Sequence, residues 1–552
     1  MSVLAEIDNE SVQETLTSYR MATRMAIVLC GLLTLISLAI PPSVSHDPAW
    51  GMQEWRSWRA GNPLNTLSHP DSDDISKDVT NPFMWWSPGQ YLVPGALTLL
   101  GLRLGTAFSL VAGLSLLSCL LGWIEIARYF ALFPKSALLF TIFIATFRYS
   151  TLPFGVYNGG EVLLQGLTPW LILLACRVSS IKAVYSAPLV FLAVLLAFFL
   201  KLTGIIVVGA ALLACGVEVV VRLRRVTAGM MAGAVGAAGA LGVLKVLWFS
   251  RGSTPASGTT WSFRAGDIAF SWGAPWGAGV SWIDMFGSVL LRHLNASADT
   301  GSQNGNLTLI LWLLLPTTIL FVTILIMGWR HFSTDANLAQ LLKITILFYV
   351  VCALAVSVIF VRGGDVSVEE RHLRAAGTLI FVCAMAVVSR LPSKSVVRRL
   401  LGGLCLVMAI YGILAFLYRA HQTHRSEIDG YSETYQPNVD PAAIRFLRTA
   451  FAREGREAVF VLPAPEAASA FPPTARILLN QIEFETEPTI AARIYHGRAH
   501  GHIFIVVPAN LSPSAKQTLL LKEFADYPVD GWQMRNFGAS TIFFQPSAGA
   551  FE

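Results

Sequence analysis

Apolar blocks of roughly 16–24 residues, each with few charges, recur along most of this 552-residue chain. Blocks of that length match the hydrocarbon core of a bilayer. Only 13% of the residues are charged, against about 25% in an average soluble protein. The chain is therefore expected to be a polytopic, α-helical membrane protein. Only about the last 130 residues have ordinary globular composition.

The charged residues between the blocks set the topology. Arg222/Arg224/Arg225, Arg330/His331 and Arg390/Lys394/Arg398/Arg399 are the clearest positive clusters, and such clusters favour the cytoplasmic side. Working outward from them gives spans near 203–221, 226–249, 307–329, 340–361, 372–390 and 400–418. Working back gives 183–200, 159–177, 136–152 and 105–127, with Arg177/Lys182 and Arg128/Lys135 inside.

The first block, Met25 to Pro42, follows Arg20 and Arg24, and Ser43-Val44-Ser45 could serve as a cleavage site. The long leader with Glu6, Asp8, Glu10 and Glu14 favours an uncleaved first helix instead. Ser87 to Leu102 is short, carries Pro94 and Gly95, and has both ends outside. It is expected to be re-entrant or interfacial, its backbone covered by protein. Eleven crossings result, within a range of about 11–13, with the N-terminus inside and the C-terminus outside.

The expected organisation is a cytoplasmic segment over 1–24, a membrane domain over 25–419, and a soluble extracytoplasmic α/β domain over 440–552, joined by a polar connector at 419–440. The membrane domain carries two large outer loops, 43–87 and 250–306. In the soluble region Asp440 and Pro441 open a helix to Glu454. Strands are expected at Ala458 to Leu462, His502 to Val507 and Thr541 to Gln545. Ser512 caps a helix running to Tyr527. Alternating strands and helices suggest a βα-type sheet. The seven cysteines all fall in apolar blocks, which argues against disulfides and Cys-type zinc sites.

Candidate chemistry gathers on the outer side. His46 to Gln90 carries six acids and three bases in a chain of net charge +6, with several tryptophans. Asp47 stands just past the first block and Glu54 seven residues on. Asp71, Asp73, Asp74 and Asp78 form an acidic run beside His69, which lacks EF-hand spacing and reads as a solvated loop. Glu161 opens a span. Glu369-Glu370-Arg371-His372-Leu373-Arg374 enters another.

Carboxylates at a membrane boundary are solvated, paired or functional. Arg371 and Arg374 could bind phosphate through paired hydrogen bonds, or pair with Glu369 or Glu370. In the loop 250–306, Trp261, Phe263, Phe270, Trp272, Trp276 and Trp282 read equally as an interfacial belt or as sugar-binding rings. Asn295 and Asn306 head two glycosylation sequons. An outward carboxylate, a second acid and an arginine cluster suit group transfer from a lipid-linked phosphate. One carboxylate would act as base and the arginines would stabilise the leaving phosphate.

These residues resemble the GT-C superfamily of multi-pass glycosyltransferases, in particular the protein O-mannosyltransferase and lipid A aminoarabinose transferase group. Asp47 stands where that family has an acidic motif after the first helix. Trp86-Ser87-Pro88-Gly89-Gln90-Tyr91 resembles its aromatic-Pro segment, Glu161 occupies the place of its second acid, and Glu370-Arg371-His372-Leu373 is similar to its late arginine motif. The family's paired acidic motif is reduced here to one Asp followed by Pro48, and Ala375 and Ala376 replace the usual proline.

The resemblance implies a GT-C-type inverting transfer of a sugar from a polyprenyl-phosphate donor, on the outer face of a bacterial inner membrane. The acceptor would be a lipid, glycan or protein. Asp47 would be the base. Glu54, Trp85, Trp86, Glu161, Arg371, His372 and Arg374 would bind substrate, with Arg371 and Arg374 on the donor phosphate. A divalent cation is the one cofactor left open, with Glu54 and Glu161 as the acids available to it. Membrane lipids are expected partners and nucleic acid is not. The main alternative is a transporter or flippase of a lipid-linked or small polar substrate. It would call for internal repeats or discontinuous helices at the midplane, and no clear repeat is evident. A non-catalytic assembly protein that docks through 440–552 is the third reading.

Overall fold

The computed structural model describes residues 2–132, 136–252, 261–286, 303–331, 335–364, 369–425, 439–480 and 494–545. The expected sequons at Asn295 and Asn306, most of the connector 419–440, and Lys135 lie outside the described residues or side chains.

The apolar blocks form helices because lipid offers no partner to a free peptide group. Among the described residues ten helices are long and apolar enough to cross a membrane. An eleventh crossing results if the bent pair Ala137–Thr146 and Arg148–Phe154 is one span. In chain order the first elements are α1 (Ser2–Ala39), β1 (Ser43–Val44), α2 (His46–Arg59), β2 (Thr66–Pro70), β3 (Asp78–Pro82) and α3 (Gly89–Leu99). Next come α4 (Leu104–Tyr129), α5 (Ala137–Thr146), α6 (Arg148–Thr151), β4 (Val156–Tyr157), α7 (Gly160–Arg177), α8 (Ala183–Leu200), α9 (Gly204–Leu223) and α10 (Ala228–Leu244). Three short helices follow, α11 (Ala265–Gly273), α12 (Pro275–Ala278) and α13 (Trp282–Phe286). The last spans are α14 (Gln303–His331), α15 (Ala336–Val361), α16 (Arg374–Arg390) and α17 (Val396–Arg425). The C-terminal region adds α18 (Pro441–Glu454), β5 (Val459–Leu462), α19 (Pro465–Ala468), β6 (Arg476–Leu479), β7 (Ile503–Pro508), β8 (Gln533–Phe537) and β9 (Ser540–Gln545).

The chain divides into two units. The first comprises Met1–Ile36, Leu110–Phe154 and Gly160–Tyr418 and holds most of the apolar helices. Large apolar side chains such as Leu35, Leu192, Leu213 and Ile319 are exposed on it, as expected of a surface solvated by lipid tails. The chain is a multi-pass integral membrane protein. Its helices meet through small residues. On α10, Gly229, Gly233 and Gly236 face Val178, Ser186 and Ala187, and any Cβ on Gly236 would collide with the Ala187 carbonyl. The Ser186 hydroxyl donates to the Gly229 carbonyl at 2.7 Å. The break after α5 lies at Phe147, whose ψ of 150° is extended. Gly412 of α17 passes against this break, and Thr151 Oγ1 donates to the Gly412 carbonyl at 2.9 Å.

The seven cysteines are buried and unbridged. The aromatic loop is packed rather than free. Trp272 and Trp276 lie against Tyr349, and Trp282 Nε1 donates to the Leu313 carbonyl at 2.7 Å. Trp261 and Phe263 alone of that set are strongly exposed.

The second unit comprises Ser37–Ser109, Gly155–Gly159 and Arg419–Glu552. The acidic stretch expected as a loop is folded: α2, the antiparallel hairpin β2–β3, then α3. The hairpin pairs Thr66 with Pro82 and Pro70 with Asp78. The segment expected to be re-entrant forms the 11-residue α3, about 16 Å long and too short to cross a bilayer. Its Gly95 admits the Trp55 ring of α2, where a Cβ would stand 2.5 Å from Trp55 Cδ2. Two-residue strands β1 and β4 pair in parallel, Ser43 with Val156 and Val44 with Tyr157.

The C-terminal sheet has the order β6-β5-β7-β9-β8. β6, β5 and β7 run parallel, and β9 and β8 are antiparallel. The helix opened by Asp440 forms as expected, with the Asp440 carboxylate accepting from Ala442 N at 2.7 Å. Ser512 likewise caps Ala515 N at 3.1 Å. Strands β6 and β8 were not foreseen, and the helix from Pro513 gives way after Thr518 to a wider turn over Leu519–Glu523. Leu447, Phe460, Phe504 and Ile542 fill one face of the sheet. Val461, Ile505, Leu519 and Ile75 fill the other. Ile75 comes from the hairpin turn, which Arg476 of β6 grips. Its guanidinium bonds Asp78 Oδ1 at 2.8 Å and the Ile75 carbonyl at 2.8 Å.

Candidate functional site

Charges inside an apolar helical unit are costly unless paired, so they mark where sequence has accepted a penalty. The membrane unit concentrates them at the starts of α7 and α16 and at the joint between α8 and α9. Glu161 is in the first turn of α7 and only 9% exposed. Lys201, in the three-residue joint after α8, reaches its carboxylate. Arg371 reaches the same oxygen, Nη1 to Oε1 at 3.3 Å, and pairs with Glu369 at 2.6 Å. One carboxylate oxygen is thus shared by an ammonium and a guanidinium.

Beside it runs a second set. Arg374 stacks over the Tyr149 ring at 5.3 Å and lies 3.7 Å from Asp284. Arg148 pairs with Asp284 at 2.8 Å. Glu370, fully buried, accepts from the backbone N–H groups of Ile283 and Asp284 at 3.1 Å each. It thereby anchors the start of α13, where a carboxylate is favoured by the free N–H groups and the helix dipole. The loop acids Glu369 and Glu370 therefore do different things. Glu369 takes Arg371, as one sequence reading allowed, while Glu370 holds backbone.

A small cavity of about 40 Å³ lies at the centre of this cluster. Lys201, Arg371, Arg374, His372, Glu161 and Tyr149 all line it. Three fixed cations face one carboxylate, so the lining carries an excess of positive charge. Desolvated cations in a confined, low-dielectric space attract an oxyanion strongly.

Of the expected site residues, the structure brings together Glu161, Arg371, His372 and Arg374. Sequence reasoning missed Lys201, Arg148 and Asp284. Lys201 had a visible signal, a lone charge in Leu200-Lys201-Leu202 between two apolar blocks.

The other expected residues lie in the second unit. Asp47 is in the first turn of α2 and half-buried. Glu54 is fully buried, and its carboxylate accepts from Asn65 Nδ2 at 2.8 Å. Burial pushes the Glu54 carboxyl well above the usual carboxylate range, while the neighbouring Tyr91 hydroxyl and Asn65 oppose that rise. Glu54 thus ties α2 to the hairpin and α3. Trp85 and Trp86 are half-buried just before α3. Among the described residues no group of three or more His, Cys, Asp or Glu side chains could hold a metal ion. The acidic run is instead used locally: Asp74 bonds Lys77 and Ser76, and Asp78 bonds Arg476.

The sequence matches no protein-family profile and no curated protein. A solved structure is similar: that of ArnT from Cupriavidus metallidurans bound to undecaprenyl phosphate. Its TM-score is 0.50 at 11% identity, covering 94% of this chain and 97% of that one. The likeness shows the fold and agrees with the GT-C-like architecture expected from the sequence, many membrane helices with a small C-terminal α/β region.

Proposed function

We propose that the chain is a GT-C-type glycosyltransferase that takes a sugar from a polyprenyl-phosphate donor on the outer face of a bacterial inner membrane. The observation that carries this reading is the single carboxylate oxygen of Glu161 shared by Lys201 and Arg371. A phosphate oxygen carries a like negative charge and, in this reading, takes its place on these two cations. That ArnT binds undecaprenyl phosphate in a similar fold supports the choice of a lipid phosphate as the anion.

In this reading the donor phosphate exchanges with Glu161 on Lys201 and Arg371, and Arg374 adds a third positive charge. The bond from the sugar anomeric carbon to the phosphate oxygen breaks, and its electron pair stays on the polyprenyl phosphate. The acceptor oxygen forms the new bond to the same carbon from the opposite face, inverting it. The acceptor proton passes to a carboxylate base, and Asp47 is the residue assigned that role by the family resemblance. The cations lower the barrier to the extent that they bind the departing phosphate better than the intact donor.

The test is sugar transfer from labelled polyprenyl-phosphate sugars by purified protein in detergent. Arg371→Gln is expected to cut turnover by about 10²–10³-fold, the usual cost of losing one charge-stabilising donor. Asp47→Asn is expected to cut turnover with little change in donor binding. Equal activity of Asp47→Asn and wild type would remove Asp47 from the mechanism. Substrate counterflow in liposomes with no covalent product would replace the whole reading with transport.

A further inference from the structure

A cavity of about 890 Å³ in the second unit shares no lining residue with the cationic cluster. It lies between α2, the β2–β3 hairpin and the β6 edge of the C-terminal sheet, and its size falls in the range of small-ligand clefts. Two features define its chemistry. The first is charge. Its lining contains the guanidinium groups of Arg56, Arg456 and Arg476 and a single carboxylate, Asp78. Asp78 is already committed to Arg476 at 2.8 Å and faces Arg456 at 3.7 Å.

Arg56 has no carboxylate among the described residues. Its guanidinium meets only neutral acceptors, Gln53 Oε1 and the carbonyls of Pro472 and Ala475. Its buried Nε has no partner. Burial alone pulls this guanidinium down to about 10. Arg56 is half-buried, and a partly desolvated cation without a counterion favours an anion that supplies the missing charge.

The second feature is a pair of aromatic rings beside uncharged polar groups. Trp50 and Phe83 lie 5.8 Å apart at a tilt of 34°. Around them stand the side chains of Asn62, Thr80 and Asn81 and the buried, unpartnered Ser57 hydroxyl. Rings offer a face to the C–H groups of a sugar, and amides and hydroxyls bond its hydroxyl groups.

We propose that this cavity is a binding site for an acidic saccharide, one whose carboxylate or phosphate compensates Arg56 while a sugar ring lies on Trp50 and Phe83. Binding here requires no donor lipid and does not depend on the transfer reading. The measurement is isothermal titration of the full-length protein in detergent, without donor, using digalacturonic acid and the neutral disaccharide cellobiose as probes. Digalacturonic acid is expected to bind at least tenfold more tightly than cellobiose, and more weakly as salt rises.

Arg56→Gln should lower the acidic probe's affinity at least tenfold and leave cellobiose nearly unchanged. Thr80→Trp, at an exposed hairpin position, should block both by filling the cleft, and it decides the matter if Arg56→Gln fails to fold. No binding of either probe, or equal binding by wild type and Thr80→Trp, would overturn the proposal. So would equal affinity for the acidic and neutral probes. Loss of sugar transfer with this binding intact would count against the transfer reading alone.

Discussion

Single residues carry the site, and their sequence signals were unequal. Arg371 and Glu161 stood out because each is a charge at the end of an apolar block. Lys201 carried the same signal in a shorter gap and was absorbed into the joint between two spans. Asp284 was hidden in an aromatic loop, so nothing linked it to Arg148, 136 positions earlier and now 2.8 Å away. Glu54 shows the opposite case, a residue conspicuous in sequence whose surroundings are those of a buried structural group.

Because burial raises the Glu54 carboxyl, the folded protein holds a proton that the unfolded chain loses above pH of about 4.3. The folded state is then penalised increasingly as pH rises from there toward the folded value. Glu54→Gln keeps an acceptor for Asn65 without the charge. It should raise the melting temperature at pH 7 relative to wild type, by a margin that shrinks to nothing near pH 4. Thermal unfolding followed by size-exclusion fluorescence at both pH values checks this. A variant less stable than wild type at pH 7 would mean that the charge is needed.

Elements were legible wherever their period or length was strong. The span expected at 183–200 is Ala183–Leu200, and that expected at 226–249 is Ala228–Phe249. Hydropathy over about 20 residues admits few alternatives in lipid. The hairpin and α2 were missed because acids and tryptophans in the same stretch masked the local pattern. The buried side of α2, with Ala49, Met52 and Trp55 three apart, is a helical spacing that was present in the sequence. Strand β6 was missed because only four residues, Arg476–Leu479, define it.

How the helices meet was not legible, since glycine in an apolar block has no period of its own. The α8–α10 contact depends on such glycines. Gly236→Leu should destabilise the protein by at least about 1–3 kcal/mol through overpacking. Gly242→Leu, on the same helix with open space around it, should cost little. Comparable loss of monodisperse protein in the two variants would show that the contact is not limiting.

At the scale of the whole molecule, the positive clusters give the expected orientation, with those helix ends toward the cytoplasm and the C-terminal region outside. All seven cysteines are buried, so a new surface thiol reports cleanly. In intact spheroplasts a membrane-impermeant maleimide should label Ser514→Cys and leave Arg225→Cys unlabelled until the membrane is opened. Labelling in the reverse order would invert the topology and with it the proposed outer site.

The cluster around Glu161 is the proposed phosphate site. Binding of radiolabelled undecaprenyl phosphate to purified protein tests that claim without any need for the sugar or the acceptor. Lys201→Gln combined with Glu161→Gln removes one ion pair without leaving either charge alone, and Arg371→Gln removes the second cation. The account predicts saturable binding by wild type and at least tenfold weaker binding by both variants, with Arg56→Gln unchanged. Binding of equal strength in wild type and in both cluster variants would contradict it.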